Sequence, residues 1–316
     1  MKPKLKVPYS EFLQSKVQRI SILRQFQKHS VTNRGSIAMS SINPRCLLNF
    51  RDAKHSLDGE AGVLAHVLSR LPDQNKWVIE FGACDGLQFS NSAHLITEQG
   101  YSAVLIEPDG AQYDMLMENM KRYPNVTCLK EFVGTQGPQR LDAILTRTTA
   151  PNNPDLMIVD VDNNDYHIFK AVESYSPKVL MIEINSTLLP DQKKVAEYDA
   201  PFVFGKHGSS IFSMTELAEA KGYSLICNIS CNAVYVQEKY YSLFFPKRYS
   251  PADFYTYEGI YGERFWRELN AAKKWRKLIE AIRREWIING KARSLGHIAT
   301  HFTSYVASTA ARFLRG

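Results

Sequence analysis

The sequence predicts an α/β fold built on a parallel sheet that ends in an antiparallel hairpin. Three features of the pattern between residues 60 and 237 support this prediction. Short β-branched apolar runs alternate with segments of helical periodicity, as in βαβ units. The runs are apolar at consecutive positions, which is typical of strands covered on both faces. The last two runs are separated by only a few residues, as in a hairpin.

The elements follow in chain order. The predicted strands are WVIEF (77–81), AVLIE (103–107), VTCL (126–129), LMIVDVD (156–162), KVLMIEI (178–184), YSLICNI (223–229) and NAVYVQE (232–238). The predicted helices cover 60–71, a segment between 86 and 103, YDMLMENMKRY (113–123), LDAILTR (141–147), DYHIFKAVESY (165–175) and SIFSMTELAEAKG (210–222). Asp165 and Ser209 are candidate helix N-caps, and Gly222 suits a helix C-terminus. Residues 185–208 form a long predicted loop.

The charge distribution suggests three regions. Residues 1–30 carry seven Lys or Arg against one acidic residue, and residues 264–316 carry twelve against three. The segment between them has twenty basic and twenty-eight acidic residues. We therefore predict a basic N-terminal helix and linker at 1–45, a globular domain at 46–247, and a basic amphipathic helical extension at 248–316.

Composition excludes several classes of protein. Apolar residues make up 44% of the 316 and charged residues 22%, which is ordinary for a globular protein. No run approaches the ~18–20 apolar residues of a membrane-spanning helix, and the start lacks the pattern of a secretory signal. The five scattered cysteines indicate free thiols. We expect a cytoplasmic protein that can also contact the membrane peripherally.

The strongest motif is a glycine turn, Glu80-Phe81-Gly82-Ala83-Cys84-Asp85-Gly86, placed between a strand and a helix. Glycines there allow the backbone to turn sharply and approach a ligand closely. The turn does not match the GxGxxG motif of dehydrogenases, because Cys84 occupies the position of the central glycine of that motif. Glu107, at the end of the next strand, is placed to accept both hydroxyls of an adenosine ribose. The alternative is a tight turn with surface acids.

Several blocks resemble a known family. WVIEFGACDGLQFSNSAHLITEQGYSAVLIEPD resembles the start of FkbM-type S-adenosylmethionine-dependent methyltransferases. LDAILTR, DLMIVDVDNNDYHIFKAV, KVLMIEIN and KGYSLICNISCNAVYV resemble its later blocks in the same order. The resemblance implies a class I methyltransferase Rossmann-like sheet and S-adenosylmethionine as cofactor. The sequence departs from the commoner family pattern at Asp162-Asn163, where that pattern has Glu-Gly.

The resemblance also implies which residues line the cofactor site. The methionine part would lie against Glu80, Gly82, Ala83, Asp85 and Gly86, and Glu107 would hold the ribose. Pro108 and Asp109 would lie on one side of the adenine, with Glu131 and Phe132 on the other.

A second constellation, Asp160-Val161-Asp162-Asn163-Asn164-Asp165-Tyr166-His167, follows the fourth strand, where open α/β sheets bind ligands. Alternation places Asp160 and Asp162 on one side of the chain, where with Glu183 they could hold a hard divalent cation such as Mg²⁺. Asn185 could complete that site. The segment also resembles metal-dependent macrocin-type sugar O-methyltransferases. The alternative makes Asp165 a helix cap and Asp162 a turn residue.

Methylation of a hydroxyl also needs a base to take its proton. Asp160, Asp162 and His167 are the candidate catalytic residues, and His207 lies in a loop expected over the crevice. The function predicted from the resemblance is O-methylation of a sugar, a glycan precursor or a natural product.

Other classes remain open beside this prediction. The chain could be an inactive scaffold with a Rossmann-like fold, or an NAD-dependent oxidoreductase, although the missing glycine and the hairpin disfavour the latter. The C-terminal stripe, with Trp266, Trp275 and Trp286, predicts either packing on the domain or contact with an anionic membrane. Nucleic acid is not an expected partner, because no known binding module is present and the centre is acidic. Oligomers are possible.

Overall fold

The computed structural model describes residues 43–52, 56, 58–88, 90–200 and 207–256. The helices predicted within 1–45 and within the basic C-terminal segment lie outside these residues. Among the described residues, no helix is long and apolar enough to cross a membrane.

Seven strands and seven α-helices form the described part of the fold. The strands are β1 (Trp77–Phe81), β2 (Ser102–Ile106), β3 (Val126–Leu129), β4 (Leu156–Val159), β5 (Val179–Glu183), β6 (Tyr223–Ile229) and β7 (Asn232–Gln237). The helices are α1 (Glu60–Ser69), α2 (Ala93–Gln99), α3 (Gly110–Met120), α4 (Leu141–Leu145), α5 (Asp165–Ala171), α6 (Ile211–Ala220) and α7 (Pro251–Phe254). Short 3₁₀ helices cover Cys46–Phe50, Gly137–Gln139 and Glu238–Leu243.

The strands form one sheet in the order β3-β2-β1-β4-β5-β7-β6. The first five are parallel, and β7 pairs antiparallel with both β5 and β6. The predicted parallel sheet with a terminal hairpin is therefore confirmed. This is the strand plan of the class I methyltransferase fold.

The core runs along β4 and β5 in the middle of the sheet and extends to β6 at its edge. Every residue of β4, β5 and β6 is buried, and because alternate side chains point to opposite faces, both faces of the sheet are covered there. The packed core continues past the predicted domain boundary at 247, since Phe254 and Tyr255 are also fully buried. At the other end, Leu47 is buried next to the predicted start at residue 46.

Strand β4 is shorter than predicted. The apolar run suggested a strand to residue 162, but β4 ends at Val159. Asp162 has a φ of +67°, a left-handed conformation that cannot continue a strand. The chain therefore turns away from the sheet directly after β4.

Two helix caps also differ from the prediction. Asp165 is the first residue of α5, not its cap, and its carboxylate accepts a hydrogen bond from the Val161 N–H instead. Ser210, rather than Ser209, caps α6 by accepting from the Ser213 N–H. The Ser209 hydroxyl accepts from the Ala196 N–H and so holds the preceding loop.

Candidate functional site

The candidate site lies at the carboxyl ends of the parallel strands. β1 pairs with β2 on one side and with β4 on the other, so the chain reverses its direction of travel across the sheet at this position. Open α/β sheets bind ligands outside the strands at such a switch point. Residues 82–86, 107–109 and 160–165, singled out from the sequence, follow β1, β2 and β4 respectively and lie along this edge.

Gly82 brings the ends of β1 and β4 together. Its φ is +80°, and a Cβ atom added there would lie 1.9 Å from the Asp160 carbonyl oxygen. The Gly82 and Ala83 N–H groups donate to the Ile106 carbonyl of β2. A side chain at position 82 would push these strand ends apart, so the sharp turn requires glycine.

Glu107 joins the two loops that border the crevice. One carboxylate oxygen accepts from the Cys84 N–H at 2.9 Å and the other from the Asp109 N–H at 2.8 Å. The side chain is only 5% exposed. Glu107 therefore lies where the sequence predicts the carboxylate that holds a ribose, and its contact with a ribose stays a prediction.

Glu80 is buried and holds the segment between β1 and α2 in place. Its carboxylate accepts from the Ser90 hydroxyl, the Ser92 hydroxyl and the Asn91 N–H, which anchors the segment that leads into α2. Burial raises the pKa of Glu80, and the charge of Asp160 adds to that increase, while these hydrogen bonds oppose it. A direct contact of Glu80 with a ligand stays a prediction.

The rest of the glycine turn is held by local contacts. Asp85 accepts from the Leu87 and Gln88 N–H groups through one oxygen, and Ala83 is buried. Gly86, at φ +75°, faces α3, where an added Cβ would lie 2.5 Å from Leu116 Cδ1. Gly86 therefore permits close packing of the turn against α3.

The residues predicted on the adenine side lie after β2 and β3. The Asp109 carboxylate caps α3 by accepting from the Ala111 and Gln112 N–H groups. Pro108 is exposed, and the Phe132 ring is 38% exposed. Glu131 forms an ion pair with Arg147 at 2.9 Å. An exposed aromatic ring is a surface on which a nucleobase can stack, while Asp109 and Glu131 already have protein partners.

The loop after β4 concentrates negative charge. Asp160 is half-buried, next to Gly82, and Asp165 is buried. Burial raises the pKa of Asp165 well above its usual range, and the charges of Asp160 and Asp162 raise it further, although the Val161 N–H opposes the shift. Asp165 is therefore expected to hold a proton more readily than an exposed aspartate.

His167 faces the long loop after β5. Its Nε2 atom lies 2.7 Å from the Ala196 carbonyl oxygen, and its ring makes edge contacts with Tyr166 and Tyr198. Asn163 supports the same loop by donating to the Glu197 and Ala200 carbonyls. Through these contacts His167 helps to stabilise the loop after β5. Its catalytic role stays a prediction.

The structure brings one histidine to the predicted metal-ligand residues. The ligand atoms of Asp162, Glu183 and His207 all lie within 4.8 Å of one another. Asp160, also predicted as a ligand, lies outside this group. The prediction from the sequence places His207 near the strand ends but not with the carboxylates, because twenty-three residues lie between it and Glu183.

Comparison with known proteins finds similar solved structures but no similar sequence. No protein-family model matches the chain, and no curated protein is similar to it in sequence. Similar solved structures include a precorrin-6y C5,15-methyltransferase from Geobacter metallireducens (19% identity, 55% of this chain and 77% of that chain, TM-score 0.33). Another is an O-methyltransferase from Bacillus cereus in complex with S-adenosylhomocysteine (13% identity, 70% and 99%, TM-score 0.39).

A methyltransferase from Streptomyces caelestis is similar at 13% identity over 58% of this chain and 90% of that one, with a TM-score of 0.36. The chain covers 51–60% of three longer proteins that are also similar. All these TM-scores are below 0.5, so we base the assignment on strand order and direction: the described domain has the class I methyltransferase fold.

Proposed function

We propose that this protein is an S-adenosylmethionine-dependent methyltransferase that methylates a hydroxyl group of a sugar, a glycan precursor or a related natural product. The observation that carries the proposal is the position of Glu107. Its buried carboxylate lies at the switch point of the sheet, where its two oxygens accept from the Cys84 and Asp109 N–H groups of the neighbouring loops. A ribose diol matches that pair of acceptors.

The residues around the crevice divide the work of the reaction. When bound, S-adenosylmethionine supplies an activated methyl group, so the C–S bond breaks as the C–O bond to the acceptor forms. The protein aligns the acceptor oxygen with that methyl carbon, which is where most of the rate increase arises. We assign Asp160 as the base that takes the hydroxyl proton, because it is half-buried, follows β4 at the switch point of the sheet, and lies near enough to Glu80 for its charge to act there. His167 ranks second, since its Nε2 atom contacts Ala196.

The acceptor class rests on the resemblance to FkbM-type enzymes over about residues 55–237 and on the oxygen-rich loop after β4. Asp160 and Asp162 follow that strand, and both are half-buried carboxylates, a group that can accept hydrogen bonds from hydroxyls. A polyhydroxylated acceptor fits such a surface better than an apolar one.

The proposal is tested by isothermal titration of the full chain with S-adenosylmethionine, S-adenosylhomocysteine and NAD⁺ in parallel. We expect both sulfur ligands to bind and NAD⁺ not to bind. Glu107→Gln should weaken binding by about 1–3 kcal/mol, the range for loss of a charged hydrogen-bond partner. Glu216→Gln, at an exposed position of α6 where the carboxylate forms an ion pair with Lys193, should leave the affinity unchanged.

Each contrary result has a definite meaning. Binding of NAD⁺ alone would favour the oxidoreductase alternative, and binding of none of the three would favour an inactive scaffold. An unchanged affinity in Glu107→Gln would remove Glu107 from the site.

A further inference from the structure

The cluster of Asp162, Glu183 and His207 combines three potential ligands from separate elements. Asp162 lies in the loop after β4, Glu183 is the last residue of β5, and His207 precedes α6. Their ligand atoms lie within 4.8 Å of one another. Glu183 and His207 are each 5% exposed, and Asp162 is half-buried. The cluster is therefore an interior feature at the carboxyl edge of the sheet and not a set of surface charges.

The spacing of His207 and Glu183 suits two ligands of one ion. His207 Nε2 lies 3.9 Å from Glu183 Oε1, which is longer than a hydrogen bond. Ligands that bind one ion at about 2.1 Å can lie up to about 4.2 Å apart. The histidine and the carboxylate are thus placed as neighbours around a common centre.

The loops that carry the ligands are fixed by hydrogen bonds. The Gly208 N–H donates to the Asn163 side chain at 3.2 Å, which joins the His207 loop to the Asp162 loop. The Asn185 N–H donates to the Ser209 carbonyl at 2.8 Å, which joins the same loop to the end of β5. Such support outside the ligands orients a metal site and reduces the cost of binding.

A buried amide adds a second sign of an absent partner. Asn185 is 3% exposed, and its Nδ2 atom has no hydrogen-bond partner among the described residues, while its Oδ1 atom accepts from Thr187. Buried polar groups are nearly always hydrogen-bonded. Asn185 is two residues after Glu183, and its backbone and Cβ lie beside Gly208, so this buried amide belongs to the same strand end and loop as the cluster.

We propose that Asp162, Glu183 and His207 bind a divalent first-row transition metal ion such as Mn²⁺ or Zn²⁺. Oxygen ligands alone would favour Mg²⁺, as the sequence predicted, but an imidazole nitrogen shifts the preference toward transition metals. Three protein ligands leave positions open for water or substrate. Metal binding itself stands on the cluster; a role in orienting an acceptor hydroxyl rests on the proposed function.

The test uses the untagged full chain, because a histidine tag would itself bind metal. After treatment with chelator and dialysis, the protein is titrated calorimetrically with MnCl₂, ZnCl₂ and MgCl₂. We expect one Mn²⁺ or Zn²⁺ per chain and at least tenfold weaker binding of Mg²⁺. His207→Gln and Glu183→Gln should each weaken Mn²⁺ binding at least tenfold. The control is His66→Gln, because the His66 ring stacks on Phe50 and is not part of the cluster. This variant should bind Mn²⁺ as the wild type does.

Absence of Mn²⁺ and Zn²⁺ binding by the wild type would overturn the proposal, as would equal binding by His207→Gln. Circular dichroism checks that each variant is folded. The visible spectrum of Co²⁺-loaded wild type provides a readout that needs no variant: bands of a nitrogen- and oxygen-ligated site are expected, and the spectrum of hydrated Co²⁺ would overturn the proposal.

Titration of S-adenosylhomocysteine into the metal-free protein separates this proposal from the function. Binding of the nucleoside without metal binding would overturn the metal site and leave the methyltransferase proposal in place. Metal binding without nucleoside binding would support the site and contradict the proposed function.

Discussion

At the scale of single residues, Gly82 shows how closely the turn after β1 approaches β4. Its positive φ and the Asp160 carbonyl oxygen both restrict the position. Gly100, at the end of α2, has a similar φ of +69°, but an added Cβ would meet nothing within 4 Å. Substitutions at these two glycines therefore distinguish two costs in the free energy of unfolding. At Gly100 only the backbone conformation opposes a side chain, whereas at Gly82 a steric clash is added.

We expect Gly100→Ala to cost about 1–2 kcal/mol in the free energy of unfolding, because only the left-handed conformation opposes it. Gly82→Ala should cost a further ~1–3 kcal/mol, since the strand ends must move, and should also weaken nucleoside binding. Urea unfolding and titration of both variants provide the comparison. Equal stability losses would show that the approach to Asp160 is not tight in solution.

The free energy of unfolding should depend on pH because of Glu60, the first residue of α1. It is fully buried and accepts from the Asp58 N–H and the Asn232 side chain. Burial, followed by the charge of Asp58, raises its pKa to about 7. Between about pH 4.5 and 7 the folded state therefore binds more protons at Glu60 than the unfolded state does. Its contribution to stability is present at low pH and is lost as the pH rises through this window.

Glu60→Gln removes this titration while keeping a similar shape. The free energy of unfolding of the variant, relative to that of the wild type, should rise by about 1 kcal/mol per pH unit across the window. Urea unfolding at several pH values from 5 to 8 measures the difference, in which other titrating groups largely cancel. A difference that does not change with pH would contradict the assignment.

At the scale of elements, the amino edge of the sheet is tied together by one buried charge. Asp155, just before β4, accepts from the Asn75 and Lys76 N–H groups that lead into β1. It also forms a buried ion pair with Lys178, just before β5, at 2.9 Å. The start of three neighbouring strands thus depends on a single carboxylate, at the edge opposite the crevice.

Asp155→Ala should reduce the free energy of unfolding by about 3–5 kcal/mol, because it leaves the Lys178 ammonium buried without its partner. Removal of Glu118, whose ion pair with Lys121 is exposed, should cost less than ~1 kcal/mol. Chemical denaturation of both variants makes the comparison. Similar losses would mean that the Asp155 ion pair is solvated.

At the scale of the whole molecule, sequence analysis predicted the sheet better than the site. Apolar runs mark strands because strands such as β4, β5 and β6 are buried on both faces. The strands β1, β3 and β6 have the predicted bounds. The end of β4 was wrong, since the left-handed conformation of Asp162 leaves no apolar signal. His207 reaches Glu183 by the return of a long loop, and local periodicity carries no information about such contacts.

The termini supply the last prediction, which concerns partners. They carry net charges of +6 and +9 in residues 1–30 and 264–316, against −8 between them. Each Lys or Arg near an anionic membrane contributes about 1 kcal/mol, and the attraction falls off within a Debye length. Charge concentrated in these two segments would attract the protein to an anionic membrane surface. We therefore expect binding to phosphatidylcholine vesicles that contain phosphatidylserine, and none to phosphatidylcholine alone.

Cosedimentation with vesicles tests this electrostatic mechanism. Raising the salt from about 0.1 M to about 1 M shortens the Debye length from about 10 Å to about 3 Å and should release the protein. Replacing Lys273, Lys274, Arg276 and Lys277 by glutamine should abolish binding. A control changes four exposed basic residues of the described domain by the same total charge: Lys121, Arg122, Lys193 and Lys239. Two outcomes would show that the basic C-terminal segment does not contact the membrane. Either the intact protein does not bind anionic vesicles, or the two sets of four substitutions weaken binding equally.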